Sequence, residues 1–348
     1  MVISECLKPV IETIHFSLYS IAGLRKLGAM KRIWIALAMM ALAFSNARAE
    51  SARQSLDDAW WTGPLLAPTA GTLPVGHFLF EPYFYDSIPT SFVDAAGHSH
   101  PVPRENNFGS QSYFLYGLAD RFTVGLIPRF GFKDADGGRG SAAINAGDLT
   151  LQAQYQLTQF EEDHWLPTIS VNLGETLPVG AYDRLDRASN GFGAGAYTTT
   201  LSLYSQTYFW MPGGRIMRTR LNLSYALSNS VDLMDRSVYG TMPGFRGHAA
   251  PGASAVADLA FEYSIDRNWV AAMDFWAEQD ENTRVTGSYP GAPQSVNNSG
   301  RARIFYVAPA IEYNFSSTFG VILGARIFAA GENQTATVTP VIAFNYVH

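Results

Sequence analysis

The chain has 348 residues, 47% apolar and 16% charged, with 31 Gly, 18 Pro and a mean hydropathy of −0.01. That is too apolar for disorder and too rich in glycine for a helical bundle. Its 4 Lys and 20 Arg face 30 acidic residues for a net charge of −6, which excludes the overall basic footprint that nucleic-acid binding needs.

Residues 1–29 read as an extension ahead of the true initiator, Met30. From there Lys31-Arg32, an uncharged apolar run over 33–44 and Ala47-Arg48-Ala49 have the layout of a secretory signal peptide over 30–49. The apolar run is about 12 residues, short of the roughly 20 that span a bilayer as a helix, so cleavage is expected and not anchoring. Removing residues 1–49 leaves 18 basic and 28 acidic residues, a net of −10, with Lys133 as the one lysine. The single cysteine, Cys6, lies in the removed stretch, which excludes disulfide scaffolds and cysteine-based zinc sites.

Residues 50–75 carry Trp60, Trp61 and several prolines without alternation. They are expected to be a periplasmic segment that covers the inner mouth of the domain at 76–348, or inserts into it as a plug. From residue 76 to 348 the sequence is a series of two-residue alternations. In 147–157, Leu149, Leu151, Ala153, Tyr155 and Leu157 oppose Asp148, Thr150, Gln152, Gln154 and Gln156; in 217–227, Met217, Thr219, Leu221, Leu223, Tyr225 and Leu227 oppose Arg218, Arg220, Asn222, Ser224 and Ala226. Twelve such segments are expected, at 77–86, 108–117, 121–132, 147–157, 166–177, 196–209, 215–227, 254–265, 269–279, 302–315, 319–329 and 336–347. Most run 10 to 14 residues, which suits tilted strands crossing an outer membrane.

Connections then alternate in length. Short ones fall at 118–120, 158–165, 210–214, 266–268 and 316–318, long turn-rich ones at 87–107, 133–146, 178–195, 228–253 and 280–301. An even strand count with both ends on the short-turn side predicts an all-β fold, an antiparallel up-and-down transmembrane β-barrel of about twelve strands with short periplasmic turns and long extracellular loops. Tyr116, Phe122, Tyr155, Trp165, Trp210, Tyr263, Trp269, Tyr313, Phe315, Phe319, Phe344 and Tyr346 cluster at the short-turn rim and are expected to form its interfacial girdle. Ile342, Phe344 and Tyr346 make a C-terminal strand for the barrel-assembly machinery, although the chain ends Val347-His348 where a terminal Phe is usual.

The alternation places a set of polar side chains inward, the candidates for lining a lumen: Arg129, Asp148, Gln152, Gln154, Arg218, Arg220, Asp258, Glu262, Asp274, Glu278, Glu312 and Arg326. Both signs occur, which argues against a single-sign selectivity ring and for an internal salt-bridge network, with Glu262 in cross-strand reach of Arg218 and Arg220. No catalytic set, metal site or cofactor is expected. The seven histidines avoid the middles of strands and no G-x-S-x-G elbow occurs. His98-Ser99-His100 lacks further ligands, Asp134-Ala135-Asp136-Gly137 lacks the downstream Glu of a calcium loop, and Gly191-Phe192-Gly193-Ala194-Gly195 precedes a strand, which excludes a dinucleotide fingerprint.

Leu73-Pro74-Val75-Gly76 leading to Glu81-Pro82, Tyr116-Gly117-Leu118-Ala119-Asp120-Arg121-Phe122 at the first short turn, and Gly147-Asp148-Leu149 resemble the phenol MetA degradation family over about residues 60–348. The resemblance implies an outer-membrane barrel associated with aromatic catabolism and uptake of hydrophobic or aromatic compounds. It carries over no catalytic residue. The expected protein is thus an outer-membrane channel for passive uptake, its partners the lipid bilayer, lipopolysaccharide, the assembly machinery and a small solute. A closed structural or adhesion barrel and a lipid-modifying enzyme are the alternatives.

Overall fold

The computed structural model describes residues 53–348; the expected extension, signal peptide and residues 50–52 lie outside the described residues. Twelve antiparallel strands close on themselves. They are β1 (Phe78–Val93), β2 (Glu105–Ala119), β3 (Phe122–Ile127, resumed after Pro128 as Arg129–Ala135), β4 (Leu149–Thr158), β5 (Thr168–Leu177) and β6 (Thr198–Trp210). The second half comprises β7 (Ile216–Ser228), β8 (Ser254–Ser264), β9 (Trp269–Asp280), β10 (Ala302–Asn314), β11 (Phe319–Glu332) and β12 (Gln334–Val347). Each pairs with its neighbours in sequence, and β1 pairs with both β2 and β12, so no edge is left open.

Closure follows from the alternation. In β7 the leucines at 221 and 227 are exposed while Arg218, Arg220 and Asn222 are buried. The same split recurs around the wall: Phe84, Phe108, Phe130, Leu173, Leu201 and Leu323 all face out and are exposed. A contiguous apolar belt of that size on a protein in water would drive association; around a closed barrel it is the face that meets lipid, and the build is that of an outer-membrane barrel. At the periplasmic rim, Trp269, Tyr313, Phe315 and Phe319 touch in series at centroid distances of 4.7, 4.7 and 5.3 Å, the start of the expected aromatic girdle. Trp210 leaves that girdle. It pairs with the fully buried Ile216 and so faces inward, its indole Nε1 donating to the Gln54 carbonyl at 2.8 Å, and Phe209 takes the outward position.

All twelve expected strands are present, and several are longer than alternation alone suggests. β1 runs to Val93, and β11 meets β12 through Asn333 alone, whose positive φ of 53° suits asparagine in a tight turn. The Asn333 side chain donates to the Ser299 carbonyl at 2.6 Å, which ties this low hairpin to its taller neighbour. Among the outer connections, Val231–Met234, Arg246–Ala250, Arg284–Ser288 and Ser295–Asn298 form a separate four-stranded sheet. Val231, Leu233, Phe245, Ala249 and Val285 make its small core, with Tyr182 and Tyr239 packed on it. These four- and five-residue strands are too short for periodicity to stand out from turn sequence.

The first outer connection is organised by Asp94. Its carboxylate accepts from the backbone N–H of Ala96 and His98 at 2.9 and 2.8 Å and pairs with His100 Nε2 at 2.8 Å. The His100 contact, then the two backbone N–H groups, hold this exposed carboxyl at about 2, below its ordinary 3.8. A lowered value means the carboxylate stabilises this turn at every pH above the ordinary value and ceases to as pH falls through about 2. Backbone amide exchange in residues 94–100 is therefore expected to stay slow through pH 4 and to accelerate below about pH 3 in the native chain, while Asp94→Asn exchanges fast throughout.

Candidate lumenal site

The segment from Arg53 to Gly76 begins and ends at the inner rim and runs inside the barrel between Ala59 and Leu73. It opens with a short 3-10 turn, Leu56–Asp58, capped by Ser55, and is anchored at the inner rim where Gln54 Nε2 donates to Ser264 Oγ at 2.9 Å and Trp60 N to the Arg267 carbonyl at 3.3 Å. Beyond this it carries no regular structure, so its backbone polar groups must find partners elsewhere. They find them on the inward faces of the strands. Thr62 N and Gly63 N donate to Glu312 Oε2 on β10 at 2.7 and 3.1 Å; Leu65 N donates to Asp274 Oδ2 on β9 at 3.0 Å, and Leu66 N and Ala67 N to its Oδ1 at 3.3 and 3.1 Å.

The carbonyls are met in turn from the opposite wall. Arg220 on β7 donates to the Ala67 carbonyl at 2.7 Å, Asn222 to Pro68 at 2.9 Å, Gln154 on β4 to Thr69 at 3.1 Å, and Ser170 on β5 to Ala70. Thr72 N donates to Gln156 at 3.0 Å and Leu73 N to Thr123 Oγ1 on β3 at 2.9 Å. This strap therefore crosses the lumen from β8 and β10 to β3. Leu65 seats on the inward faces of Ala308, Ile322, Val341 and Ala343.

Glycines clear its path. A Cβ at Gly324 would collide with Leu65, one at Gly320 with Thr62, and one at Gly117 with the carbonyls of Leu73 and Pro74.

A charged cluster sits against the strap. Glu262 on β8 is fully buried opposite Arg218, which binds it through Nε at 2.6 Å and through a second nitrogen; Arg220 Nε lies 3.1 Å from the same carboxylate. The Arg218 guanidinium also stacks on the strap's Trp61, 4.5 Å from the ring centroid. One step further from the periplasmic rim, Asp258 stands opposite Asn222, its carboxylate without a hydrogen-bond donor among the described residues.

Of the expected lining residues, Gln154, Arg218, Arg220, Glu262, Asp274 and Glu312 thus converge on the strap or on the ion pairs beside it, with Asp258 next to them. The others stand apart. Gln152 lies on the inner wall against Gly125; Glu278 accepts from Trp276 Nε1 at 3.1 Å; Arg326 lies over the Tyr306 ring at 4.7 Å; Arg129 Nε donates to Gln111 at 2.9 Å. Asp148 sits at the end of its strand and accepts from Gly180 N at 2.9 Å and Ala194 N at 2.6 Å, so it holds an outer loop. Thr123, Gln156, Ser170, Gln206, Asn222 and Asn314 also bind the strap and were missed in the sequence. Gln156 and Asn222 occupy inward positions in the very alternations that define their strands, so their placement, though not their partner, was available.

A closed twelve-stranded barrel of outer-membrane build, its lumen crossed by its own N-terminal strap, is the class of protein defined here. Within that class the chain belongs to the family described as "Putative MetA-pathway of phenol degradation", whose model matches residues 98–342. Among solved structures it is similar to the COG4313 outer membrane channel from Pseudomonas putida F1, with 18% identity and a TM-score of 0.63 over 80% of this chain and 98% of that one. The transport unit of the autotransporter AIDA-I from Escherichia coli (11% identity, TM-score 0.44, 78% and 90% covered) and a deltaS2 mutant of the TodX monoaromatic hydrocarbon channel (11%, 0.39, 84% and 94%) superpose more loosely. Of these three, the first alone lies near enough to define the fold. No curated protein sequence matches the chain.

Proposed function

We propose that this protein is an outer-membrane channel for passive uptake of small hydrophobic or aromatic compounds, with residues 54–73 acting as a plug. The observation that carries the reading is the strap itself. A wall that needed only rigidity would fill its lumen with side chains, whereas this barrel binds a separable segment chiefly through hydrogen bonds to its backbone. The similar P. putida barrel, described as a channel, supports the channel reading, and the family's link to phenol degradation favours an aromatic solute. Solute would enter between the outer loops and pass the inward polar residues with no energy coupling, and the strap would set the rate of the last step. Export through the leader at 30–49, insertion by the assembly machinery and bridging of loop acids to lipopolysaccharide by divalent cations complete the proposal.

The test is single-channel recording of the refolded chain in a planar bilayer, with and without phenol or benzoate. Steady openings whose current falls on adding the aromatic solute are expected. A heat-modifiable, correctly folded barrel that never opens would replace this reading with that of a closed structural or adhesion barrel.

A further inference from the structure

The glycine-rich run Gly191–Gly195 has no part in the strap, yet it is a tightly packed piece of the outer mouth. Gly131 on β3 faces inward: it pairs with Gly109, on whose inner face the Tyr85 ring lies, while the neighbouring Phe84, Phe108 and Phe130 are exposed to lipid. The Phe192 ring occupies the inner face of Gly131 so closely that a Cβ there would collide with it. A residue from the connection between β5 and β6 thus reaches inward past β4 and lies on the inner face of β3.

Phe192 is held there from several sides. Its own N–H and that of Gly193 donate to the Ala181 carbonyl at 3.0 Å each, and Asp148 accepts from Gly180 N and Ala194 N on either flank. Tyr239 Oη from the next outer connection donates to the Ala194 carbonyl at 2.7 Å. Gly193 packs on Gly180 with no room for a Cβ on either, and Gly195, at a φ of +72°, packs on the Tyr182 ring. The ring is only half-buried.

Beside it stands Lys133, whose ammonium lies 5.7 Å from the Phe192 centroid and has no carboxylate partner among the described residues. Arg129 follows on the same inward face of the same strand, its Nε bonded to the neutral Gln111. A fixed aromatic face with two cations next to it, neither in an ion pair among the described residues, is complementary to a flat ring bearing a negative charge.

We infer that Phe192, Lys133 and Arg129 form a selectivity site at the outer mouth for aromatic anions, aryl carboxylates or phenolates. This rests on the channel reading for its physiological meaning, and on the geometry alone for binding. The site would raise the local concentration of such anions above the strap and disfavour neutral rings and saturated acids of equal size.

Calorimetry of the full chain in detergent, beside flux into proteoliposomes, tests it with benzoate, cyclohexanecarboxylate and benzyl alcohol. Benzoate is expected to bind roughly fivefold tighter than either analogue, since ring stacking and a nearby charge are each worth about that factor. Phe192→Leu should bring benzoate down to the cyclohexanecarboxylate level. Lys133→Gln should bring it down to the benzyl alcohol level, and Lys133→Arg should restore it. Heat-modifiability on gels shows that each variant is folded. Selective binding lost in both variants but without flux would keep the site and sink the channel. Flux of all three solutes at equal rates, unchanged by either substitution, would keep the channel and overturn the site.

Discussion

Glu262→Ala is expected to lower the barrel's unfolding free energy by about 3–5 kcal/mol, the usual loss when one partner of a buried ion pair is removed. Glu262 is fully buried and serves both Arg218 and Arg220, so its loss leaves two guanidinium groups 5–8% exposed with no other carboxylate bonded to them among the described residues. Arg218 is further committed to Trp61, and it cannot swing out to water without giving up that stacking. Glu262→Gln keeps shape and one acceptor and should fall between. Urea titration of the refolded protein in lipid vesicles, followed by tryptophan fluorescence, reads the difference. A loss below about 1 kcal/mol would mean that lumenal water solvates the cluster.

Asp274→Ala combined with Glu312→Ala should free the strap. The two carboxyl groups accept five backbone N–H groups from Thr62, Gly63, Leu65, Leu66 and Ala67, and a buried hydrogen bond is worth about 0.5–1.5 kcal/mol net. What remains on that side is the apolar contact of Leu65, the bonds of Thr62 and Trp60 to Asn314, the stacking of Trp61 on Arg218, and the rim anchors of Gln54 and Trp60. Single-channel conductance is expected to rise severalfold, and chymotrypsin should cut at Trp60, Trp61 or Leu65, sites that the native chain protects. Unchanged current with a protected strap would locate its anchorage at Arg220, Gln154 and Gln156 instead.

Why the wall was legible residue by residue, while the strap offered only its position and none of its partners, is a matter of range. Leu149 to Leu157 and Met217 to Leu227 announce their strands because a pleated backbone between lipid and lumen imposes a period of two on its own residues. The long outer connections were legible as loops, but not the four-stranded sheet inside them, whose strands are too short to repeat. The strap has no period at all. Pro64, Pro68 and Pro74 interrupt it, and its partners lie up to 254 residues away, where no local signal reaches.

For the charged residues, the expectation of mutual pairing holds for Arg218, Arg220 and Glu262. It does not hold for Asp274 and Glu312, because a backbone segment without secondary structure brings its own N–H groups, and these satisfy a carboxylate as well as a cation does. Phe192 shows the same limit. The glycines around it mark a tight loop in any reading, but which wall the ring meets is decided by Gly131, about sixty residues earlier in the chain.

The route of the strap also dictates an order of assembly. Its hydrogen-bond partners are spread from Thr123 on β3 to Asn314 on β10, so the docking platform is complete only once these eight strands have paired. The residues that lead the folded chain must be the last to settle, after closing the longest loop in the molecule. Until then the growing barrel passes through a stage with an unobstructed lumen. How briefly that stage lasts, and so how much leaks through the membrane during synthesis, is set by the speed with which about twenty residues without secondary structure find a corridor kept clear by Gly117, Gly320 and Gly324.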